Sequence, residues 1–259
     1  NEFKGNIGFI NRWNRKLINI SKCEIMSAKI NSILPGLENK LPGYSQFSIR
    51  VGINTDSYLI QPKIIELENI ETGQEYYYEK INDIDQKISS PSFFQVNTAQ
   101  AENLGKIIKK SLDLKGDEVV IDAFSGVGTF AVLLSKYVKK IYGIESSHSS
   151  INDAVYNSKS IKNVEFIHSE VENITIDSFK ENIDVVILDP SRKGVHSTAL
   201  KWIEKLLPSQ IIYVSCELKT LKRDLNKLTN NYSIRKVIPV DMFPHTKHVE
   251  CIVSLNKIN

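Results

Sequence analysis

The sequence predicts an α/β protein with a Rossmann-like, mostly parallel seven-stranded sheet and an antiparallel edge at the carboxyl terminus, preceded by a smaller β-rich domain. Three observations carry that expectation. From Glu118 onward, short apolar runs alternate with amphipathic stretches of helical period. The first of these runs, Val119 to Ile121, stops at Asp122 and opens onto a glycine loop, Phe124-Ser125-Gly126-Val127-Gly128. Before residue 88 the text is different, with short alternating runs separated by turn residues.

Strands are expected at 118–123, 140–144, 164–167, 184–188, 210–215, 234–240 and 248–255, with helices between most of them. The last two are separated only by a short loop and read as a hairpin, which supplies the antiparallel edge. An amphipathic helix, Thr98 to Leu112, precedes the first strand. With Ala131 the glycine loop has the spacing G-x-G-x-x-A, and Glu145 ends the next apolar run at the offset where such folds hold a ribose. Taken alone, that stretch suits NAD and S-adenosylmethionine equally.

The first 88 residues are read as a domain of their own, with residues 89–259 as the second. Phe9 to Ile20 interleaves Arg12, Trp13, Arg15 and Lys16, the pattern of a ribbon that faces RNA. Its rival reading is an exposed hairpin with a buried tryptophan. Cys23 to Leu34 is expected to be helical, ending at Pro35-Gly36. Phe47 to Ile53, Ser57 to Ile60 and Ile64 to Ile70 are expected as antiparallel strands, and Glu71 to Gln74 as a turn into the strand Glu75 to Glu79.

With 259 residues, 41% of them hydrophobic, the chain has ample apolar content for a packed core. No apolar run approaches the roughly 20 residues that span a bilayer, so no membrane partner is expected. Cys23, Cys216 and Cys251 stand at no metal-like spacing, which argues against a disulfide framework and against a bound metal, and makes a cytoplasmic setting the default. The net charge is +3, but its distribution is uneven. Residues 1–50 hold eight Lys or Arg against three Asp or Glu, and residues 51–90 hold three against eight. The basic end is the better candidate for phosphate contacts. The chain starts at Asn1 close to strand-like text, as a piece of a longer protein would.

Ligands in open parallel sheets sit beyond the carboxyl ends of the strands. The residues there are Asp122, Phe124, Glu145, Asp189 and Cys216. Asp189-Pro190-Ser191-Arg192-Lys193-Gly194 follows the fourth strand, Tyr213-Val214-Ser215-Cys216 ends the fifth, and Asp241 to Glu250 leads into the last.

Together with Ser92-Phe93-Phe94-Gln95-Val96-Asn97, these motifs stand in an order and spacing that resemble the S-adenosylmethionine-dependent RNA uracil-5 methyltransferases. The resemblance covers residues 90–259 strongly and 1–90 weakly, and the FFQVN form looks closer to the 23S ribosomal RNA branch than to the tRNA branch. It implies the class I methyltransferase version of the fold, S-adenosylmethionine as cofactor, RNA as partner and 5-methyluridine as product. It further implies Cys216 as nucleophile and Glu250 as base. Gln95, Phe124, Gly126, Gly128, Glu145 and Asp189 would bind the cofactor, and Phe93 and Arg192 would lie at the substrate.

Three positions depart from the family pattern. Ser191 stands where a second proline is usual, Glu217-Leu218 where Asn-Pro is common, and Phe124-Ser125 where an aromatic-Cys pair is usual. Glu217 is expected to raise the Cys216 thiol by like-charge repulsion unless it turns away or meets Lys219 or Arg223. Cys251 falls on the opposite strand face to Glu250 and is expected in the core. In some relatives a cysteine like Cys23 ligates an iron-sulfur cluster; three companion cysteines are missing here, so no cluster is expected. His245 and His248 are read as hydrogen-bonding or orienting residues. A methyltransferase acting on nitrogen, a non-catalytic RNA-binding factor and an NAD-dependent oxidoreductase are the rival readings, and the last leaves Cys216 and Glu250 without a role.

Overall fold

A computed structural model describes residues 5–41, 43–65, 67 and 69–258. The chain divides into two compact units, the first comprising 1–80 with 87–90, the second 81–86 with 91–259.

In the first unit, β1 (Gly8–Ile10) and β2 (Leu17–Asn19) form an antiparallel hairpin, and α1 (Ala28–Leu37) follows. β3 (Ser48–Val51) pairs antiparallel with β4 (Tyr58–Gln61). β5 (Tyr76–Ile81) and β6 (Ile84–Ser89) form a further two-stranded ribbon, whose turn end belongs to the second unit. Ile7, Leu34, Leu37, Leu41, Ile60 and Ile64 make the buried core of the first unit. The Lys29 ammonium gathers the carbonyls of Gly52, Ile53 and Thr55, which holds the β3–β4 loop to the helix.

Three sequence expectations change here. The helix begins at Ala28 rather than Cys23, because Ser27 caps it by accepting the Ile30 N–H and the Asn31 amide ties Cys23 to Met26 in a separate turn. It runs through Pro35 to Leu37, since proline's fixed φ is helical and the missing N–H costs one bond near the end while Leu34 and Leu37 bury. Within Ile64 to Ile70 the described residues form no strand; Ile64 instead hydrogen-bonds the Thr72 hydroxyl, and Glu66 and Glu68 lie outside the described residues. β6 was not expected. Its turn, Asn82-Asp83, has positive φ at both residues, the two-residue hairpin geometry that asparagine and aspartate tolerate.

The second unit is the doubly wound sheet. After α2 (Thr98–Ser111) come β7 (Val119–Ala123), α3 (Thr129–Leu134), β8 (Lys140–Glu145), α4 (His148–Asn157), β9 (Val164–His168), β10 (Val185–Leu188), α5 (Ser197–Leu206), β11 (Gln210–Ser215), α6 (Leu218–Leu228), β12 (Tyr232–Val240) and β13 (Glu250–Lys257). The strand order is β12-β13-β11-β10-β7-β8-β9. All neighbours from β11 to β9 are parallel; β13 pairs antiparallel with both β11 and β12. The expected mostly parallel seven-stranded sheet is therefore present. Its reversed strand is one position in from the edge, because β12 crosses over to the outside before the chain returns.

Buried side chains cover both faces of the central strands, Val186, Leu188, Ile211 and Tyr213 on one side, Val185, Ile187, Ile212 and Val214 on the other. That two-sided burial is why β7, β10 and β11 read as unbroken apolar runs. Among the described residues no helix is long and apolar enough to cross a membrane.

Candidate active site

The carboxyl end of β7 is built around a buried carboxylate. Asp122 is fully buried and its Oδ2 accepts the Ala131 N–H at 3.0 Å, across the glycine loop. Burial pushes its carboxyl up to about 7, offset by that hydrogen bond and reinforced by the charge of Glu145. Phe124, Gly126 and Gly128 all take positive φ, so the chain leaves β7 through a left-handed turn into α3. At Gly128 a Cβ would meet the Phe166 ring at 2.8 Å, a packing reason for glycine. At Gly126 a Cβ would meet nothing within 4 Å. Glu145, at the end of β8, accepts the Gly126 N–H at 2.8 Å and the Ser147 N–H at 2.7 Å, leaving lone pairs on both oxygens. Phe124 is half-buried against the core.

This end of β7 has the features of a nucleoside cradle. There is open space above Gly126, and two buried polar atoms, Asp122 Oδ1 and Ser125 Oγ, lack a partner in the ligand-free chain. Both facts fit a cofactor with hydroxyl and amine groups.

The second cluster lies where β10 and β11 end and β13 begins. The antiparallel ladder pairs Ser215 with Cys251, so the next step brings Cys216 alongside Glu250. Glu250 is only 5% exposed, and burial pushes its carboxyl up to about 7. Asp189 follows directly on β10, and burial holds its carboxyl well above the usual range, with Glu250 and then Asp122 adding to the effect. The half-buried Cys216 thiol is raised by burial first, then by Glu250 and Asp189, while its own backbone N–H and Arg192 pull it down. Glu250, Asp189 and Arg192 thus all act electrostatically on Cys216. A carboxyl near 7 beside a thiol is suited to moving protons at neutral pH.

Phe93 and Gln95 stand on the loop before α2. Phe93 is 70% exposed and Gln95 half-buried, and among the described residues no hydrogen bond joins either to Cys216 or Glu250. The same loop is tied nearby by Asn97, whose amide donates to the Met242 carbonyl at 3.2 Å, in the segment that leads to β13. Arg192 is exposed. Cys251 packs in the core with Val253 and Leu255, as its strand parity implies.

Glu217 turns away from the thiol. Its side chain accepts the Lys219 N–H and caps α6, and the carboxylates that raise Cys216 are Glu250 and Asp189. The turn between Cys216 and α6 is closed by the Ser215 hydroxyl, which accepts from Glu217 N and donates to Glu217 O.

Sequence reasoning missed the residues that hold this turn. Asp224 is fully buried on α6 and accepts from the Tyr213 hydroxyl at 2.7 Å, from Val195 N at 2.9 Å and from Arg223 Nε at 2.7 Å. Arg223 also donates to the carbonyls of Lys193 and Val195, and the Thr220 hydroxyl to that of Arg192. Gly194, at φ +72°, leaves no room for a Cβ, which would come within 2.6 Å of Arg223 and Asp224. An aspartate on the apolar face of a helix pattern was the available signal. Asp224 stands three residues after Leu221 and four before Leu228, both buried.

A sequence model of the tRNA (uracil-5-)-methyltransferase family matches residues 63–258. The chain belongs to this family. An uncharacterized RNA methyltransferase of Nanoarchaeum equitans is 43% identical over 187 residues, 71% of this chain and 40% of that protein. One from Bacillus cereus is 40% identical over 191 residues, 72% of this chain and 42% of that protein. The chain therefore spans about two-fifths of the length of these curated relatives. Among solved structures, the Pyrococcus abyssi tRNA (uracil-54, C5)-methyltransferase in complex with S-adenosyl-L-homocysteine superposes with a TM-score of 0.80 at 26% identity, over 97% of this chain and 73% of that one. Membership of the family agrees with the seven-stranded order of the sheet.

Proposed function

We propose that this chain carries the catalytic part of an S-adenosylmethionine-dependent RNA methyltransferase that makes 5-methyluridine through a covalent adduct on Cys216. The feature that supports the reading is the cluster at the end of β11 and the start of β13, where the strand register sets the half-buried Cys216 alongside the buried Glu250, whose carboxyl burial pushes up to about 7. Bound S-adenosylmethionine supplies an electrophilic methyl group. Gly126, Gly128, Phe124, Glu145 and Gln95 would hold it, with Asp189 between cofactor and substrate.

C5 of uracil is too weak a nucleophile to take that methyl unaided. Attack of the Cys216 thiolate on C6 would make C5 enolate-like, able to take the methyl as its bond to the sulfonium sulfur breaks and S-adenosylhomocysteine leaves. Glu250 as carboxylate removes the C5 proton, the electrons return to the ring, and the Cys216–C6 bond breaks to restore the thiolate. Phe93 and Arg192 are the residues assigned to the base and its backbone. The target uridine has to leave its stack to reach the thiol, so a nucleotide in an RNA loop is the expected substrate.

The FFQVN form of the loop before α2 favours 23S ribosomal RNA as that substrate. Likeness to the Pyrococcus enzyme supports a second reading, tRNA. Transfer of labelled methyl from S-adenosylmethionine to unmodified ribosomal RNA and tRNA, followed by nucleoside analysis, separates the two. Label in 5-methyluridine that vanishes in Cys216→Ala supports the reading, and label on a nitrogen that persists in the variant contradicts it.

A further inference from the structure

The turn between β1 and β2 presents an aromatic ring to solvent on a rigid base. Asn11 N donates to Lys16 O at 2.8 Å, and Arg15 N to Asn11 O at 2.9 Å. The Asn11 side-chain oxygen accepts from Trp13 N at 2.8 Å and Asn14 N at 3.3 Å, and that of Asn14 accepts from Lys16 N at 3.0 Å. Arg15 takes the left-handed conformation that closes the turn. At its apex Trp13 is 92% exposed, so the reading of a hairpin with a buried tryptophan does not hold. The other tryptophan behaves in the ordinary way: Trp202 is 6% exposed and donates its indole N–H to Val171 O at 2.9 Å.

An open indole on a hydrogen-bonded turn is suited to a partner with a flat π face. The surrounding charge says which kind. Arg12, Arg15 and Lys16 flank the ring, all exposed, and no Asp or Glu occurs between Gly5 and Cys23. Among the described residues none of the three cations is in an ion pair. A purely apolar protein surface would leave those cations without partners, whereas single-stranded RNA offers unstacked bases and phosphates at one-nucleotide spacing.

We propose that Trp13 is a stacking platform for an unpaired base of the RNA substrate, with Arg12, Arg15 and Lys16 on the adjoining phosphates. The inference rests on the RNA-methyltransferase reading and extends it to a nucleotide other than the methylated uridine, which has to reach Cys216. The turn supplies little information about base identity, because indole stacking accepts every base; it selects for single strand over duplex.

Trp13 emission tests this directly. The signal is the difference between wild type and Trp13→Phe, which removes the fluorophore and keeps an aromatic ring. Titration with a single-stranded RNA oligonucleotide quenches the Trp13 signal, and a blunt RNA duplex of equal length does not. By anisotropy of labelled RNA, Trp13→Ala binds about tenfold more weakly, the worth of one base stacked on an aromatic side chain, and Trp13→Phe loses less. Replacing Arg12, Arg15 and Lys16 by Gln flattens the salt dependence of binding while quenching persists at low salt. Bound RNA with unchanged Trp13 emission and unchanged Trp13→Ala affinity overturns the platform and leaves the methyltransferase reading standing. A blue shift that grows with protein concentration in the absence of RNA assigns the ring to a protein contact and also overturns it. Failure of any RNA to bind at low salt removes the RNA reading itself, and the platform with it.

Discussion

The Tyr213 hydroxyl donates to the Asp224 carboxylate at 2.7 Å, with both residues fully buried. Tyr213 lies on β11 three residues before Cys216, and Asp224 also holds Val195 N and Arg223. One carboxylate thus fixes the strand that delivers the thiol and the loop that carries Asp189 and Arg192. Removing it leaves several buried donors unpaired, whereas removing the tyrosine hydroxyl leaves the other bonds intact. Asp224→Ala is expected to cost about 3 kcal/mol in urea unfolding, and Tyr213→Phe about 1 kcal/mol. Both variants should lose turnover in that order.

Glycines on either side of the site have different reasons to be there. Gly194→Ala places a Cβ against Arg223 and Asp224 at positive φ, so it should destabilise the fold by roughly 2–3 kcal/mol. Gly126→Ala meets only open space, so its fold cost is about 1 kcal/mol from the left-handed backbone. Calorimetry with S-adenosylhomocysteine should show the reverse ranking, with binding lost in Gly126→Ala and largely retained in folded Gly194→Ala.

The thiol should titrate under the control of Glu250. Burial, Glu250 and Asp189 all disfavour the thiolate, so alkylation of Cys216 by iodoacetamide should rise on the alkaline side of an ordinary cysteine. Glu250→Gln removes a negative neighbour, lowers the thiol pKa and shifts the profile toward neutral pH. Asp189→Asn should give a smaller shift in the same direction. Glu217→Gln should leave the profile unmoved, since Glu217 is engaged at the start of α6.

Asp122 ties stability to pH. Its folded carboxyl is raised from 3.8 to about 7, so the folded state holds a proton that the unfolded state releases between those values. Its contribution is fully present below pH 3.8 and is lost as pH rises through 7. Asp122→Asn keeps the acceptor for Ala131 N and removes the buried charge. The variant should therefore gain on wild type as pH increases, by on the order of 2–4 kcal/mol at pH 8, in unfolding curves taken at pH 4, 6 and 8. A gap independent of pH would mean that Asp122 is ionised in both states.

The sheet was legible because its central strands are buried on both faces and end at chemically marked residues, Asp122, Glu145, Asp189 and Cys216. Strand parity alone separated Glu250 from Cys251. The ribbon of β5 and β6 was half hidden, since Asp85, Gln86 and Lys87 dilute the apolar alternation of β6 and Asn82-Asp83 is a turn without glycine or proline. The direction of Glu217 was not legible, because an acid at that position serves a helix cap as well as it would oppose a thiolate. Asp224 escaped notice because its partners, Tyr213 and Val195, come from two other elements.

The proposed reaction turns on a covalent bond between Cys216 and the target base. Incubating Glu250→Gln with S-adenosylmethionine and unmodified RNA would trap that bond, because adduct formation is kept and the proton removal that releases it is lost. The expected product is a protein–RNA complex that survives denaturation, carries the methyl label, maps to Cys216 and is absent from the Cys216→Ala, Glu250→Gln double variant. Methylation that proceeds without such a complex and continues in Cys216→Ala would contradict it.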